Sequence, residues 1–208
     1  GGGVVMRRLR VLFYGSLLLF GFGAAALLIF FFVVIRDLPQ VPEPLSRIIE
    51  TPPTEIYAAT GERIMLIGGR EVVPLNRVSP LFIRAVTATE DHRFWEHHGF
   101  DKLRTVKAFW VTLASGGRVE GASTITQQLA KNLFFSFHRT YIRKFRELLV
   151  ALQIESRYTK REILEAYINQ IPFGVGAHGV EQASQVLFGK PALLQTLPDT
   201  CLLAGLPM

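Results

Sequence analysis

The sequence predicts a mainly α-helical domain, preceded by one transmembrane helix and a small β-hairpin. Three observations indicate this class: an early run without charged residues, repeated helix-capping signals further on, and one segment that alternates like a hairpin. Of the 208 residues, 49% are hydrophobic and 19% charged, which excludes a disordered tail. The single cysteine, Cys201, excludes an intrachain disulfide framework.

The uncharged run covers residues 11–35 and is long enough to cross a bilayer. As a helix it would extend about 37 Å, compared with about 30 Å for a hydrocarbon core. A cleaved signal peptide is the alternative, but its apolar region is shorter and ends at a small-residue cleavage site, which this sequence lacks. We therefore predict an uncleaved transmembrane anchor.

Positive charge is concentrated before the anchor. Arg7, Arg8 and Arg10 precede it, whereas Arg36 alone follows it closely. The positive-inside rule then places residues 1–10 in the cytoplasm and residues 36–208 outside. Without the three leading arginines the chain has 20 basic and 17 acidic residues, an excess too small to indicate a nucleic-acid partner.

Proline-rich sequence separates the anchor from the domain. Residues 36–53 contain five prolines and are predicted to form a stiff extended linker. A hairpin follows, because residues 54–59 and 62–67 flank the turn pair Thr60-Gly61. The domain is therefore predicted over 54–208, without internal repeats.

Six helices of the domain are predicted from the residues at their starts. These residues are Ser79, Asp101, Thr124, Thr140, Thr159 and Gly179. Thr124 and Thr159 have Gln or Glu three positions later, which completes a capping box. Pro172 must end the fifth helix, and Gly189 is a suitable end for the sixth. The fourth helix carries apolar residues at helical spacing, namely Ile142, Phe145, Leu149 and Leu152.

A dense polar run from Glu90 to Gly99 directly follows the first helix of the domain. Its mixture of carboxylates, histidines and aromatic rings suits a cleft in which burial turns a carboxylate into a useful general base. A solvated loop is the alternative interpretation. Zinc binding by His92, His97 and His98 is disfavoured, because their spacing matches neither metalloproteases nor zinc fingers.

A second polar segment runs from Gly121 to Asn132. On a helix four of its residues share one face: Thr124, Gln127, Gln128 and Lys131. Neutral hydrogen-bonding side chains that end in a lysine near a helix N-terminus suit hydroxyls and phosphate oxygens. An ordinary amphipathic helix is the alternative, although such helices usually present Glu and Lys to solvent.

Cations cluster between Arg139 and Arg146, just before Glu147. Grouped cations repel one another unless they meet opposite charge, and a diphosphate is the obvious candidate outside a membrane. Attraction to anionic lipid headgroups, or pairing of Arg143 with Glu147 along the helix, is the alternative.

Together the three segments resemble the family 51 peptidoglycan glycosyltransferases, the polymerising module of class A penicillin-binding proteins and of monofunctional transglycosylases. The first family motif is matched by Glu90, Asp91, Phe94, His97 and Gly99. The second is matched without a break from 121 to 132, and the others fall at 143–147, 163–174 and 176–190. Departures from the family pattern occur at Lys107, His178, Ser184 and Leu187. At Lys107 the charge of the usual Arg is kept and its bidentate geometry lost.

The resemblance implies a lysozyme-like helical fold and polymerisation of lipid II, with inversion at the sugar and release of undecaprenyl diphosphate. By motif match, Glu90 is the general base and Glu147 a second catalytic carboxylate. The implied substrate-binding residues are Asp91, Lys107, Ser123, Thr124, Gln127, Gln128, Lys131, Asn132, Arg139, Lys144 and Arg146. A Mg²⁺ or Mn²⁺ ion at Glu147 is allowed, and no organic cofactor is implied.

The implied partners are lipid II, the growing glycan chain, the bilayer and other cell-wall synthesis proteins. The implied location is the bacterial inner membrane, crossed once, with the catalytic domain on the outer side. Family members continue past residue 208, so the chain is expected to be an N-terminal piece. Two other functions stay open: a muramidase-like glycan-cleaving enzyme and a non-catalytic membrane-anchored envelope scaffold. Cleavage would also use two carboxylates, but it gives no reason for the cations between them.

Overall fold

The computed structural model describes residues 2–49, 54–67, 71–115, 123–135, 140–174 and 176–206. The chain divides into two compact units, Gly1–Leu38 and Pro39–Met208. The first unit is dominated by helix α1 (Gly2–Arg36). The second is mainly helical, which confirms the predicted fold class.

Helix α1 contains the predicted anchor. Its part from Met6 to Arg36 includes an 18-residue stretch with a mean hydropathy of 2.8 and is, within the described ranges, the one helix long and apolar enough to cross a membrane. A signal sequence near an N-terminus meets the same criterion of length and composition. The anchor and its orientation therefore stay predictions.

The small sheet of the second unit is the predicted hairpin. Strands β1 (Thr54–Tyr57) and β2 (Arg63–Ile67) pair antiparallel, with Thr54 opposite Ile67. Gly61 in the connecting turn has φ of 84°, a left-handed conformation that glycine adopts without steric cost.

All six predicted helices of the domain are present, each starting where its capping signal indicates. They are α3 (Pro80–Glu90), α4 (Lys102–Ser115), α5 (Ile125–Phe134), α6 (Tyr141–Arg157), α7 (Lys160–Gln170) and α8 (Val180–Phe188). Both predicted capping boxes form. Gly189 ends α8 in the left-handed conformation. Ser79 differs from the expectation, since it precedes α3 but makes no side-chain capping bond.

A further helix, α9 (Leu197–Ala204), was not predicted. The carboxylate of Asp199 accepts hydrogen bonds from the N–H and the hydroxyl of Thr196, which fixes the start of this helix. Two short 3₁₀ turns, Leu75–Arg77 and Ala192–Leu194, complete the described elements of the domain.

Helices α5, α6 and α7 form the centre of the domain. Helix α5 packs against both α6 and α7, while α3 packs against α9. Each of the three central helices buries apolar side chains four positions apart: Ile125 and Leu129, Val150 and Ile154, and Leu164 and Ile168. The face of α5 opposite this core is therefore free to carry polar groups.

On α6 the buried face differs from the apolar stripe that predicted the helix. Ile142, Phe145 and Leu152 are exposed, whereas Glu147 and Ala151 are buried. The apolar residues that α6 buries are Val150, Ala151 and Ile154, which lie on a different face of the helix. The loop before α4 approaches this face closely, because a Cβ atom added to Gly99 would lie 3.2 Å from the carbonyl oxygen of Ala151.

The segment after α1 packs on the helical domain, unlike the extended linker that its prolines predict. Arg157 donates a hydrogen bond to the carbonyl of Val41 at 2.8 Å, and the Tyr158 hydroxyl donates to that of Pro42. A short helix, α2 (Ser46–Ile49), contacts α7. Among the side chains of the segment that the structure describes, Val41, Leu45 and Ile49 are buried. Their removal from water explains the docking.

Candidate functional site

The N-terminus of α5 is the point at which the polar segments meet. The hydroxyl of Thr124 accepts a hydrogen bond from the N–H of Gln127 at 3.2 Å, and the Gln127 side chain accepts one from the N–H of Thr124 at 3.4 Å. The same hydroxyl donates to the carbonyl of Gly99 at 2.8 Å. Thr124 and Gln127 are both buried, so they join the first two segments and do not line an open surface.

Asp91 provides a second link between these segments. Its carboxylate accepts a hydrogen bond from the backbone N–H of Ile125 at 3.1 Å, and His97 Nε2 lies 2.8 Å from the same oxygen. A negative charge at this position also complements the positive end of the α5 dipole. Asp91 is fully buried.

Three residues predicted to bind substrate thus also make internal hydrogen bonds while buried: Asp91, Thr124 and Gln127. Their contacts with substrate stay a prediction.

Glu90 is held from two sides at the C-terminal end of α3. Its Oε2 accepts a hydrogen bond from Gln128 Nε2 at 2.7 Å. Its backbone carbonyl accepts one from the guanidinium of Arg104 at 2.7 Å. The side chain is half-buried, so it is positioned by the protein and still reachable from solvent.

Sequence reasoning missed two residues that contact this site. Arg104 fixes the backbone of Glu90, and the hydroxyl of Tyr167 donates to Gln128 Oε1 at 3.1 Å. Burial, together with the neighbouring carboxylates Glu90 and Asp91, raises the pKa of Tyr167 far above its ordinary value. The position of Tyr167 within the fourth family motif could have identified it as a site residue. For Arg104 the sequence offers no such signal beyond its charge.

Glu147 lies in a different environment. It is buried on α6, with Lys144 Nζ at 3.1 Å and Arg143 Nε at 2.9 Å from its two oxygens. Lys144 Nζ also donates to the hydroxyl of Ser123 at 2.7 Å, just before α5. The pairing of Arg143 with Glu147, considered above as an alternative, is therefore present. Through Lys144 and Ser123 the third polar segment joins the other two.

The surroundings of Glu147 do not suit a metal ion. Its two oxygens already face two cations, and a divalent ion there would be repelled by both. In the part of the chain that the structure describes, no group of three or more His, Cys, Asp or Glu side chains could hold a metal. We therefore derive no catalytic step through a protein-bound ion.

The remaining predicted site residues have varied positions. Lys131 and Asn132 are half-buried on α5, and so is Arg146 on α6. Lys107 is exposed on α4. Arg139 lies outside the described residues.

Comparison with known proteins identifies similar sequences. The sequence profile of the transglycosylase family matches residues 62–208. Penicillin-binding protein 1A of Escherichia coli is 47% identical over 157 residues, which cover 74% of this chain and 18% of that protein. Penicillin-binding protein 1A of Vibrio cholerae is 39% identical over 204 residues, covering 97% and 25%. Penicillin-binding protein 2D of Bacillus subtilis is 36% identical over 199 residues, covering 94% and 28%. The matched region thus spans between 18% and 28% of the length of these relatives.

Proposed function

Because the chain belongs to the transglycosylase family, we propose that its helical domain is a peptidoglycan glycosyltransferase that polymerises lipid II into β-1,4-linked glycan strands. One observation carries the proposal. Glu90 and Lys144 come from different helices and are both hydrogen-bonded to residues at the start of α5, Glu90 to Gln128 in its first turn and Lys144 to Ser123 just before it. A proton acceptor and a cation for the leaving group are the two groups that the displacement needs.

In the proposed reaction the 4-hydroxyl of the GlcNAc of lipid II attacks C1 of the terminal MurNAc of the growing chain. The bond from C1 to the diphosphate oxygen breaks, the configuration changes from α to β, and undecaprenyl diphosphate leaves with the bonding electrons. Glu90 takes the hydroxyl proton. Its Oε2 is engaged by Gln128, so Oε1 is the oxygen that we assign to this proton transfer.

Cations on α5 and α6, and between them, are proposed to neutralise the diphosphate: Lys131, Arg139, Lys144 and Arg146. Lys144 is the best supported, because its side chain is 52% exposed while Ser123 and Glu147 fix the ammonium group. Glu147 accordingly holds cations in place. We propose that sugar and phosphate oxygens are bound by Ser123, Gln128, Asn132 and Lys107.

The position of Glu147 also favours transfer over glycan cleavage. A cleaving enzyme uses its second carboxylate as a nucleophile or to activate water, and both tasks require an accessible oxygen. Glu147 is buried with both oxygens close to cations. The muramidase-like alternative therefore has less support than the transferase.

The decisive experiment is polymerisation of labelled lipid II by the Glu90→Gln variant. We expect polymer formation to fall by about a hundredfold or more, since amide cannot accept the proton, while the unfolding temperature changes little. Glu96→Gln is the matched control, because Glu96 is an exposed carboxylate in the same segment, paired with Arg93. Retained polymerisation in Glu90→Gln would exclude Glu90 as the base. Absence of polymer formation by the unaltered chain would support a scaffold, and shortening of finished peptidoglycan without lipid II consumption would support the cleaving enzyme.

We further propose that α1 anchors the protein in the bacterial inner membrane, with residues 1–10 in the cytoplasm and the domain outside. A polyprenyl substrate stays in the bilayer, so an anchored domain meets it in two dimensions. Other cell-wall synthesis proteins remain proposed partners.

Cys201 offers a test of this topology because it is exposed and is the only cysteine of the sequence. A membrane-impermeant maleimide should label it in intact spheroplasts. In a Cys201→Ser background, a cysteine introduced by Arg8→Cys should be labelled only after permeabilisation. The opposite pattern would reverse the orientation, and a soluble labelled product would indicate cleavage.

A further inference from the structure

Tyr167, Gln128 and Glu90 form a hydrogen-bonded chain across three helices. The Tyr167 hydroxyl on α7 donates to Gln128 Oε1 at 3.1 Å, and Gln128 Nε2 on α5 donates to Glu90 Oε2 at 2.7 Å. Tyr167 is fully buried and Gln128 half-buried, so bulk water competes little for these bonds.

The two ends of the Gln128 amide are chemically different, and the chain fixes which end faces which neighbour. The carbonyl end only accepts and the NH₂ end only donates. The raised pKa of Tyr167 keeps its phenol protonated, so the hydroxyl is available to donate to the carbonyl. The reverse orientation would place the carbonyl oxygen against the carboxylate of Glu90, which is repulsive while Glu90 is ionised.

We propose that Tyr167 is a positioning residue that, by orienting the Gln128 amide, fixes the Glu90 carboxylate in place to accept a proton. The inference rests on the proposed function, in which Glu90 is the base. No bond to substrate involves Tyr167. Its hydroxyl acts only through Gln128, which occupies Oε2 of Glu90 and directs the incoming proton to Oε1.

Other charged groups around Glu90 have hydrogen-bond partners that are not the Tyr167 hydroxyl. Asp91 follows Glu90 in sequence and is bonded to His97, while Arg104 from α4 is bonded to the Glu90 carbonyl. Because these contacts do not involve the Tyr167 hydroxyl, a changed titration of Glu90 in a Tyr167 variant reports on the Gln128 amide.

The test is the Tyr167→Phe variant of the full chain in detergent. We expect the acid limb of the kcat–pH profile for lipid II polymerisation to move up by about half to one pH unit, with KM changed less than kcat. Tyr158→Phe is the control, since it removes a partly buried tyrosine hydroxyl that bonds to Pro42 and not to Gln128. An unmoved acid limb in Tyr167→Phe overturns the proposal.

A second measurement separates this inference from the proposed function. Carboxyl ¹³C NMR, assigned with the Glu90→Gln variant, follows the titration of Glu90 without turnover. The midpoint should rise in Tyr167→Phe and also in Gln128→Ala, and the double variant should match Gln128→Ala alone. The inference is overturned if the shifts of the two single variants add in the double variant, or if the midpoint does not shift at all. If Glu90→Gln still polymerises while these shifts occur, the proposed base fails and the orienting role stands.

Should Tyr167→Phe fail to fold, Gln128→Ala carries the test, because the amide is the group through which Tyr167 acts. An unshifted Glu90 titration in that variant then overturns the proposal, and a raised midpoint supports it.

Discussion

Glu90 and Glu147 are both acidic, but the groups that contact them differ in charge. Glu90 accepts a hydrogen bond from a neutral amide, whereas Glu147 lies at ion-pair distance from Arg143 and Lys144. One carboxylate is therefore suited to take a proton and the other to hold cations in place. The sequence motifs contain both residues without distinguishing these environments.

The contacts that define the site could be predicted from sequence only in part. Motif matching found Glu90 and Gln128. It did not find the roles of Tyr167 and Arg104, whose bonds join positions 39 and 14 residues apart. Such pairs depend on how helices pack, which local patterns do not encode.

Gly179 gives a stability prediction at the scale of one residue. It has φ of 85°, and an added Cβ would lie 2.8 Å from the carbonyl oxygen of Asn169. Gly179→Ala should therefore lower the free energy of unfolding by about 2–4 kcal/mol, measured by denaturant titration. Gly174→Ala is the control, because φ is 74° with open space around the new atom, and should cost about 1 kcal/mol. Equal losses would argue against the close contact.

Helix starts were predictable because their signals are local. The two capping boxes join residues three positions apart, so the sequence contains both partners. Helix α9 has the same kind of signal in Thr196 and Asp199, although it was not predicted. The four residues of α2 are too few to be helical alone, and packing against α7 accounts for them.

The two capping boxes provide a matched pair of variants. Thr159→Ala should reduce the free energy of unfolding by about 1 kcal/mol and leave polymerisation unchanged. Thr124→Ala should cost more, because the same hydroxyl also bonds to Gly99, and should lower kcat by displacing the start of α5. Thermal unfolding and lipid II polymerisation measure the two effects. Indistinguishable variants would show that α5 has no special link to the site.

At the scale of the molecule, the family and the helical class followed from sequence, but the extent of the packed domain did not. The predicted boundary at 54 came from proline content and the hairpin signal. The compact unit instead begins at Pro39, since Val41, Leu45 and Ile49 are buried. Prolines indicate local stiffness and carry no information about which surface a segment contacts.

This packing predicts that a residue outside the expected domain stabilises it. Ile49→Ala should lower the free energy of unfolding by about 2–4 kcal/mol, because it leaves a cavity against the domain. Arg47→Ala lies in the same short helix and is exposed, so it should change stability by less than about 0.5 kcal/mol. Denaturant unfolding of the full chain in detergent distinguishes the two variants. Equal losses of unfolding free energy would mean that α2 is only loosely attached to the domain.

The docked segment has a practical consequence for anyone who wishes to crystallise the domain in soluble form. A cut just before the hairpin, at Thr54, would expose the apolar surface that Val41, Leu45 and Ile49 cover, and it would leave the donors of Arg157 and Tyr158 to water. Such a product would tend to aggregate. A cut at Pro39 removes the apolar helix and keeps the covering segment, so it should give the better-behaved protein.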